Sequence, residues 1–204
     1  MNVPRVITFD IDDNLSVADM IVTCLQTYNN MRTDYIVYAP NELDNIPVFE
    51  AHLSPANLRT FRNLPTVALI HCSDTRADRD YTPNQLRNDH FARGWNAAGY
   101  HFYIRKNGRI VQFRKLSEWG AHCKGHNDYT LGICYEGGRT IDGKYRDTMS
   151  KEQDRSMVAL LKYLIRTYPE MQVMGHRDLN PDKACPCFDA KEKYGYLTNY
   201  CVEP

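Results

Sequence analysis

The chain has 204 residues, which is enough for one domain with a hydrophobic core or for one domain with a small addition. Hydrophobic residues make up 43% and charged residues 25%, as in an ordinary globular protein. The 25 basic residues balance the 25 acidic ones, which argues against nucleic acid and against an anionic membrane surface as partners.

No apolar run in the sequence approaches the length of a membrane span, so we expect no membrane insertion. The N-terminal segment carries acidic residues where a secretory signal has its apolar stretch, which predicts synthesis in the cytoplasm without a signal peptide. Seven cysteines lie at positions 24, 72, 123, 134, 185, 187 and 201. An odd number argues against a closed disulfide framework and favours reduced thiols used for packing or for a metal.

The first part of the chain predicts a strand, a helix and a second strand, over residues 5–10, 16–28 and 34–38. Residues 39–55 are rich in Pro, Asn and Asp and predict a loop, followed by a helical turn over residues 55–62. Paired aspartates after the first strand are similar to phosphatase and calcium-loop motifs, but the other parts of both motifs are missing from the sequence.

The rest of the chain predicts strands and longer helices in alternation. Strands are expected at residues 66–70, 100–105, 109–113, 131–135 and 171–174, with a hairpin turn at residues 106–108. Capping boxes that begin at Thr82 and Ser150 start helices, of which the first reaches about residue 95 and the second ends before Pro169. A last helix follows Phe188.

Mixed strands and long helices predict an α/β fold with a central mixed β-sheet flanked by helices. We assign this fold to one domain, residues 63–204, preceded by a small N-terminal α/β extension, residues 1–62. The extension is expected to cap the domain, to border a substrate groove, or to form a small module that binds the cell wall or a partner.

Three side chains that bind soft metals, those of His71, His176 and Cys185, lie just beyond predicted strand ends. Imidazole with thiolate suits zinc, and three protein ligands leave a fourth position for water. A thiolate offsets one of the two zinc charges, and the remaining charge acidifies bound water and polarises a carbonyl. The spacing is no compact zinc signature, however, and lone histidines are more often structural. Cys185 and Cys187 are alternatively two packed thiols.

Six segments of the chain recur in the order of one known family: Ile-His-Cys-Ser (70–73), Gly-Tyr-His-Phe (99–102), Gly-Ala-His-Cys-Lys-Gly-His-Asn (120–127), Leu-Gly-Ile-Cys (131–134), Gly-His-Arg-Asp (175–178) and Lys-Ala-Cys-Pro-Cys-Phe-Asp (183–189). On these segments the chain resembles the zinc amidases of the amidase-2 and peptidoglycan-recognition-protein superfamily, in particular small amidase-type phage lysozymes. The resemblance implies hydrolysis of the amide bond between N-acetylmuramic acid and L-alanine in peptidoglycan. It also implies a zinc ion held by His71, His176 and Cys185.

The resemblance assigns roles to two further residues. Tyr100 matches the family's active-site tyrosine, which orients the attacking water or hydrogen-bonds the intermediate. Lys183 matches a lysine that stabilises the oxyanion. Some branches of the family carry a glutamate base at the position that Cys134 occupies in this chain. Because this chain has no acidic residue there, we name no carboxylate base. Glu136, two residues further on, is expected on the same face of the predicted strand.

The loop over residues 121–127 is expected beside the substrate groove. We predict that His122, Lys124 and Asn127 bind substrate, with a supporting role or a surface position as the alternative for His122. His101 follows Tyr100 on a strand and should face the other side, which favours a packing role. Cys72 and Cys123 are expected to pack as well, and Cys187 is a rival zinc ligand to Cys185.

Peptidoglycan is the expected substrate of a monomeric hydrolase, which acts on the cell wall after holin-dependent release or secretion. Two alternatives stay open. One is a peptidoglycan-recognition protein that binds without cutting, and the other is a lysozyme-like regulator that binds a protein partner. Non-catalytic relatives typically lose the cysteine ligand, whereas Cys185 is present in this chain.

Overall fold

The computed structural model describes residues 58–199 together with three short strands before them. The strands of this described part are β1 (Val6–Ile7), β2 (Ile36–Val37), β3 (Phe49–Ala51), β4 (Val67–Cys72), β5 (Thr75–Arg76), β6 (Phe102–Ile104), β7 (Ile110–Gln112), β8 (Thr130–Tyr135), β9 (Gly138–Arg139) and β10 (Gln172–Gly175). Its helices are α1 (Pro83–Ala92), α2 (Lys151–Thr167), α3 (His176–Leu179), α4 (Ala190–Tyr194) and a short 3-10 helix, Gly195–Asn199.

Six of the described strands form one sheet in the order β10-β4-β8-β6-β7-β3. Neighbouring strands are parallel except β6 and β7, which form the predicted antiparallel hairpin. Every residue of β4 and β8 is buried, because continuous apolar strands in the middle of a sheet are covered on both faces. The predicted central mixed sheet is confirmed.

Helix α2 covers one face of this sheet. Its predicted capping box is present: the Gln153 N–H donates to Ser150 Oγ (3.0 Å), and the Ser150 N–H donates to Gln153 Oε1 (2.9 Å). Met157, Leu160 and Leu164 are fully buried and pack against the side chains that β4, β6 and β8 turn to that face. Among the described helices, none combines the length and the apolar composition that crossing a membrane requires.

The face opposite α2 carries α1 and the loops around it. Alternation along β4 turns Ile70 and Cys72 towards α2, and Leu69 and His71 towards the opposite face. There α1 contributes Leu86 to a smaller apolar cluster. His71 therefore reaches the side of the sheet that the longest helix leaves uncovered.

The N-terminal strands meet the predictions in part. β1 and β2 lie within the predicted strands 5–10 and 34–38 and pair in parallel. β3 corrects the predicted loop over residues 39–55, because it pairs in parallel with β7 at the edge of the central sheet. A strand of three residues is too short to produce a clear period-2 pattern, so local sequence carried no signal for it.

The segment before β4 is also corrected. Described residues 58–62 form no helical turn, and Thr60 instead makes an isolated β-bridge with Glu118. The predicted helix over residues 16–28 lies outside the described residues. The domain boundary at residue 62 stays a prediction.

A buried ion pair ties the end of β8 to the β6–β7 hairpin. The Glu136 side chain is 0% exposed, and its carboxylate accepts hydrogen bonds from Arg105 Nε (2.7 Å), the Tyr81 N–H (2.7 Å) and the Lys106 N–H (3.2 Å). Both carboxylate oxygens are occupied by these partners. Glu136 is therefore a structural anchor that joins three segments of backbone.

Candidate metal centre and active site

Strands β4 and β10 place two histidines side by side at one edge of the sheet. The strands are parallel neighbours with Ile70 opposite Gly175, so the next residue of each segment, His71 and His176, leaves the sheet at the same level. His176 begins α3, and Cys185 follows in the loop after that helix. Residues far apart in sequence thus meet at the carboxyl ends of parallel strands, where sites commonly form.

The three side chains form a group that fits a metal ion. One ligand atom from each of His71, His176 and Cys185 lies within 4.8 Å of the other two. His71 Nδ1 lies 3.7 Å from Cys185 Sγ, and the ring centroids of the two histidines are 4.5 Å apart. A tetrahedral zinc ion with bonds of about 2.0–2.3 Å requires ligand separations of about 3.3–3.8 Å, so this donor set fits zinc after small adjustments.

The loop that carries Cys185 is held against the strand ends. The Arg177 N–H donates to the Cys185 carbonyl (2.8 Å), and the Cys72 N–H donates to Cys185 Sγ (3.2 Å). A Cβ atom at Gly175 would lie 2.7 Å from Pro186 Cδ, so the loop approaches the strand more closely than a side chain would allow. These contacts aim the Cys185 sulfur at the two histidines.

Cys187, the alternative zinc ligand, lies outside the group formed by His71, His176 and Cys185. Its Sγ is 3.8 Å from Cys72 Sγ and donates to the Gly138 carbonyl (3.2 Å). Within the described residues, the group of possible metal ligands contains Cys185 and not Cys187. Cys72 and Cys123 are buried, in agreement with their predicted packing roles.

Burial determines the protonation of the ligand group. It lowers the pKa of His71 well below the usual value, with further contributions from His122 and His176. Burial also lowers the pKa of His176, followed by the charge of Lys183. Both imidazoles are therefore neutral at pH 7, which is the form that binds metals. Hydrogen bonding to Cys72 and burial raise the pKa of Cys185, so metal binding must release its proton.

A cavity of about 330 Å³ opens over the ligand group. Its aromatic lining consists of Tyr81, Trp95, Tyr100 and Tyr145. Charged side chains at its border are those of Asp74, Arg93 and Lys183. The cavity is large enough for a group that approaches the three ligands, and its mixed aromatic and charged lining suits a polar substrate.

The two predicted catalytic residues both line this cavity. The Tyr100 ring lies 5.2 Å from the His71 ring, and burial raises the pKa of the phenol well above 10, which keeps it protonated as a hydrogen-bond donor. Lys183 is exposed at the border. Cys134, at the position where some relatives carry glutamate, pairs with His71 in the register of β4 and β8.

The predicted substrate-binding residues separate into two groups. His122 lines the cavity, and its Nδ1 lies 3.1 Å from His71 Nε2. Asn127 is not among the cavity-lining residues of the described chain, and its Oδ1 accepts the backbone N–H groups of His122 (2.9 Å) and Cys123 (3.0 Å). Lys124 is exposed on the same loop and also lies outside the lining. Contact of Lys124 or Asn127 with substrate stays a prediction.

Two further histidines are buried near the cavity. His101 Nε2 lies 2.8 Å from the Glu118 carbonyl and its Nδ1 accepts the Gly132 N–H (3.0 Å), which confirms its packing role. His90 was not singled out from the sequence, although it lines the cavity. Its Nδ1 accepts the Gly99 N–H (2.9 Å), and burial lowers its pKa to about 4. It lies on the mostly polar helix α1, in which only Leu86 and His90 are buried, so the local sequence pattern did not mark this histidine.

Residues 62–188 match the family described as N-acetylmuramoyl-L-alanine amidase. The chain belongs to this amidase family. The match spans β4 to the loop after Cys185 and therefore includes the complete ligand group and the cavity. It confirms the predicted family and the predicted enzyme class.

Individual relatives of the amidase agree with this assignment. The endolysin of Enterobacteria phage K11 is 37% identical over 120 residues, which cover 59% of this chain and 79% of that protein. The structure of the endolysin amidase LysCS from Clostridium intestinale is 28% identical with a TM-score of 0.56, and the match covers 71% of this chain and 94% of that one. Drosophila peptidoglycan-recognition protein LB, 23% identical with a TM-score of 0.53 and matched over 74% of this chain and 94% of its own, shares the fold.

Proposed function

We propose that the amidase hydrolyses the bond between N-acetylmuramic acid and L-alanine with a zinc ion held by His71, His176 and Cys185. The observation that carries this proposal is the meeting of three donor atoms within 4.8 Å under an open cavity. A bound zinc ion would supply an activated water and polarise the scissile carbonyl. Two neutral imidazoles and one thiolate leave one coordination position for that chemistry.

The side chains around the ligand group support the rest of the reaction. The exposed ammonium of Lys183 borders the cavity, which supports its proposed role in stabilising the oxyanion that forms on the carbonyl oxygen. The protonated phenol of Tyr100 donates a hydrogen bond to the attacking water or to the intermediate. Glu136 is occupied by Arg105 and by backbone N–H groups, which supports a mechanism without a carboxylate base.

Product analysis tests the bond specificity. Digestion of purified peptidoglycan is expected to release stem peptides with a free L-alanine N-terminus, which mass spectrometry identifies. Split glycan chains or cut peptide cross-links, with the muramoyl–alanine bond intact, would contradict the proposal. Tight binding to peptidoglycan without any released peptide would support the non-catalytic alternative instead.

A Lys183→Ala variant is expected to lower kcat by about 10²–10³-fold, because one donor to a developing oxyanion typically contributes that much. Its zinc content should stay at the wild-type level, since Lys183 is not a ligand. Lys162→Ala serves as the control, because Lys162 is exposed on α2, on the other side of the sheet. Steady-state hydrolysis of a soluble muropeptide measures both variants. Equal kcat values for Lys183→Ala and wild type would exclude the oxyanion role.

The biological role that we infer is lysis of the cell wall, as by an endolysin. The K11 relative is named an endolysin, and its match covers most of that protein. Access to the wall would then require release by a holin or a secretion system. A monomer remains our expectation for the active form.

A further inference from the structure

The side chain of His122, on the 121–127 loop, contacts the proposed metal ligand His71. Its Nδ1 lies 3.1 Å from His71 Nε2, and the two rings meet edge to face with centroids 5.0 Å apart. The opposite nitrogen of His71, Nδ1, faces Cys185 Sγ at 3.7 Å. His71 is thus held between the ligand group on one side and His122 on the other.

The backbone around His122 approaches the ring closely and leaves space for it at two glycines. A Cβ atom at Gly120 would lie 2.2 Å from His122 Cδ2, and one at Gly132 would lie 2.5 Å from the same atom. Non-bonded carbon atoms do not approach each other this closely. The His122 ring therefore occupies space that is open only because residues 120 and 132 are glycines. Asn127 Oδ1 holds the backbone N–H of His122 at 2.9 Å and so fixes the base of the side chain.

Metal binding by His71 determines which ring is the donor in the hydrogen bond between His71 Nε2 and His122 Nδ1. A histidine nitrogen that binds zinc carries no proton, so a ligating Nδ1 leaves the proton of neutral His71 on Nε2. That N–H must then donate to His122 Nδ1, and the proton of neutral His122 is on its Nε2. His122 Nε2 is buried, and the Thr130 backbone is the acceptor that acts on the His122 ring, although no hydrogen bond of good geometry forms among the described residues.

We propose that His122 is a positioning residue, which fixes the tautomer and the ring orientation of His71 so that Nδ1 points at the metal. The inference rests on the zinc site of the proposed function. Ligating histidines generally donate their second ring N–H to an acceptor, and loss of that acceptor weakens metal binding by about 10–100-fold. In this amidase a neutral imidazole fills the place that a carboxylate or a backbone carbonyl often takes. This is the supporting role that the sequence left open for His122 as an alternative to substrate contact.

Zinc affinity, measured by competition with a fluorescent chelator, tests this proposal without relying on activity. His122→Phe keeps a ring but removes the acceptor, and zinc should bind about 10–100-fold more weakly. His122→Asn places an amide oxygen near the former Nδ1 and should restore the affinity to within about threefold of wild type. His101→Phe is the matched control: it disturbs a buried histidine 5.8 Å from His122 that contacts no proposed ligand, so zinc affinity should stay unchanged.

Wild-type affinity in His122→Phe, or equal weakening in His101→Phe, would overturn the proposal. A wild-type protein that binds no zinc would instead overturn the proposed function itself. If His122→Phe fails to fold, nitrogen-15 NMR of the zinc-loaded wild-type protein decides the question. The expected result is a proton on Nε2 of both His71 and His122, and a proton on His122 Nδ1 would contradict the inference.

Discussion

Replacing Cys185 with alanine is expected to abolish both zinc binding and hydrolysis. The variant leaves two neutral imidazoles, which bind zinc far more weakly than the complete set because the thiolate supplies charge and a soft donor. Loss of the metal removes several kcal/mol of transition-state stabilisation, so kcat/KM should fall by about 10³-fold or more. Metal analysis of the purified protein and peptide release from peptidoglycan measure the two effects.

Cys187→Ala is the matched control for this experiment. Its sulfur contacts Cys72 and the Gly138 carbonyl, outside the ligand group, so zinc content should remain at one ion per chain. Treatment of the wild-type protein with a chelator should reproduce the loss of activity, and added zinc should reverse it. Lysis by zinc-free Cys185→Ala would refute the metal mechanism, and loss of zinc from Cys187→Ala would make Cys187 the third ligand.

Glu136→Gln is expected to lower the free energy of unfolding by about 3 kcal/mol, because removal of the buried carboxylate leaves the largely buried Arg105 charge with weaker compensation. The Glu136 side chain is 0% exposed and the Arg105 side chain is 18% exposed, so water replaces little of the lost interaction. Arg105 keeps an ion pair with Asp80, which places the effect at the lower end of the range for buried pairs. Urea unfolding measures the change, with the exposed Glu170→Gln as control.

The same variant tests whether a carboxylate acts as general base. We expect kcat of Glu136→Gln to stay within about tenfold of wild type at temperatures well below unfolding, since general-base catalysis typically contributes 10²–10⁴-fold and this carboxylate is occupied by the fold. A fall of about 10³-fold in kcat with unchanged stability would identify Glu136 as the base that some relatives carry two residues earlier.

The grouping of His71, His176 and Cys185 was predictable from sequence through the resemblance to the family, which rests on the order of the matching segments and not on the spacing of the three residues. His71 and His176 are far apart in the chain, and residue chemistry alone left packed thiols and structural histidines as alternatives. The capping boxes at Thr82 and Ser150 were predictable for a different reason, since a cap is formed by residues within one turn of each other. The local sequence pattern was also sufficient to predict strands with long apolar runs, such as β4 and β8.

The sequence by itself therefore determined the family, the candidate ligand group and the elements whose signals are local. Tertiary structure alone decided that β3 joins the central sheet, that the Glu136 carboxylate pairs with Arg105, and that His122 lies within 3.1 Å of His71. Each of these depends on which distant backbone segment lies alongside, and strand pairing across tens of residues is selected by the free energy of the whole sheet. The local sequence pattern therefore does not predict which distant segments pair, because the same short segment pairs differently in different surroundings.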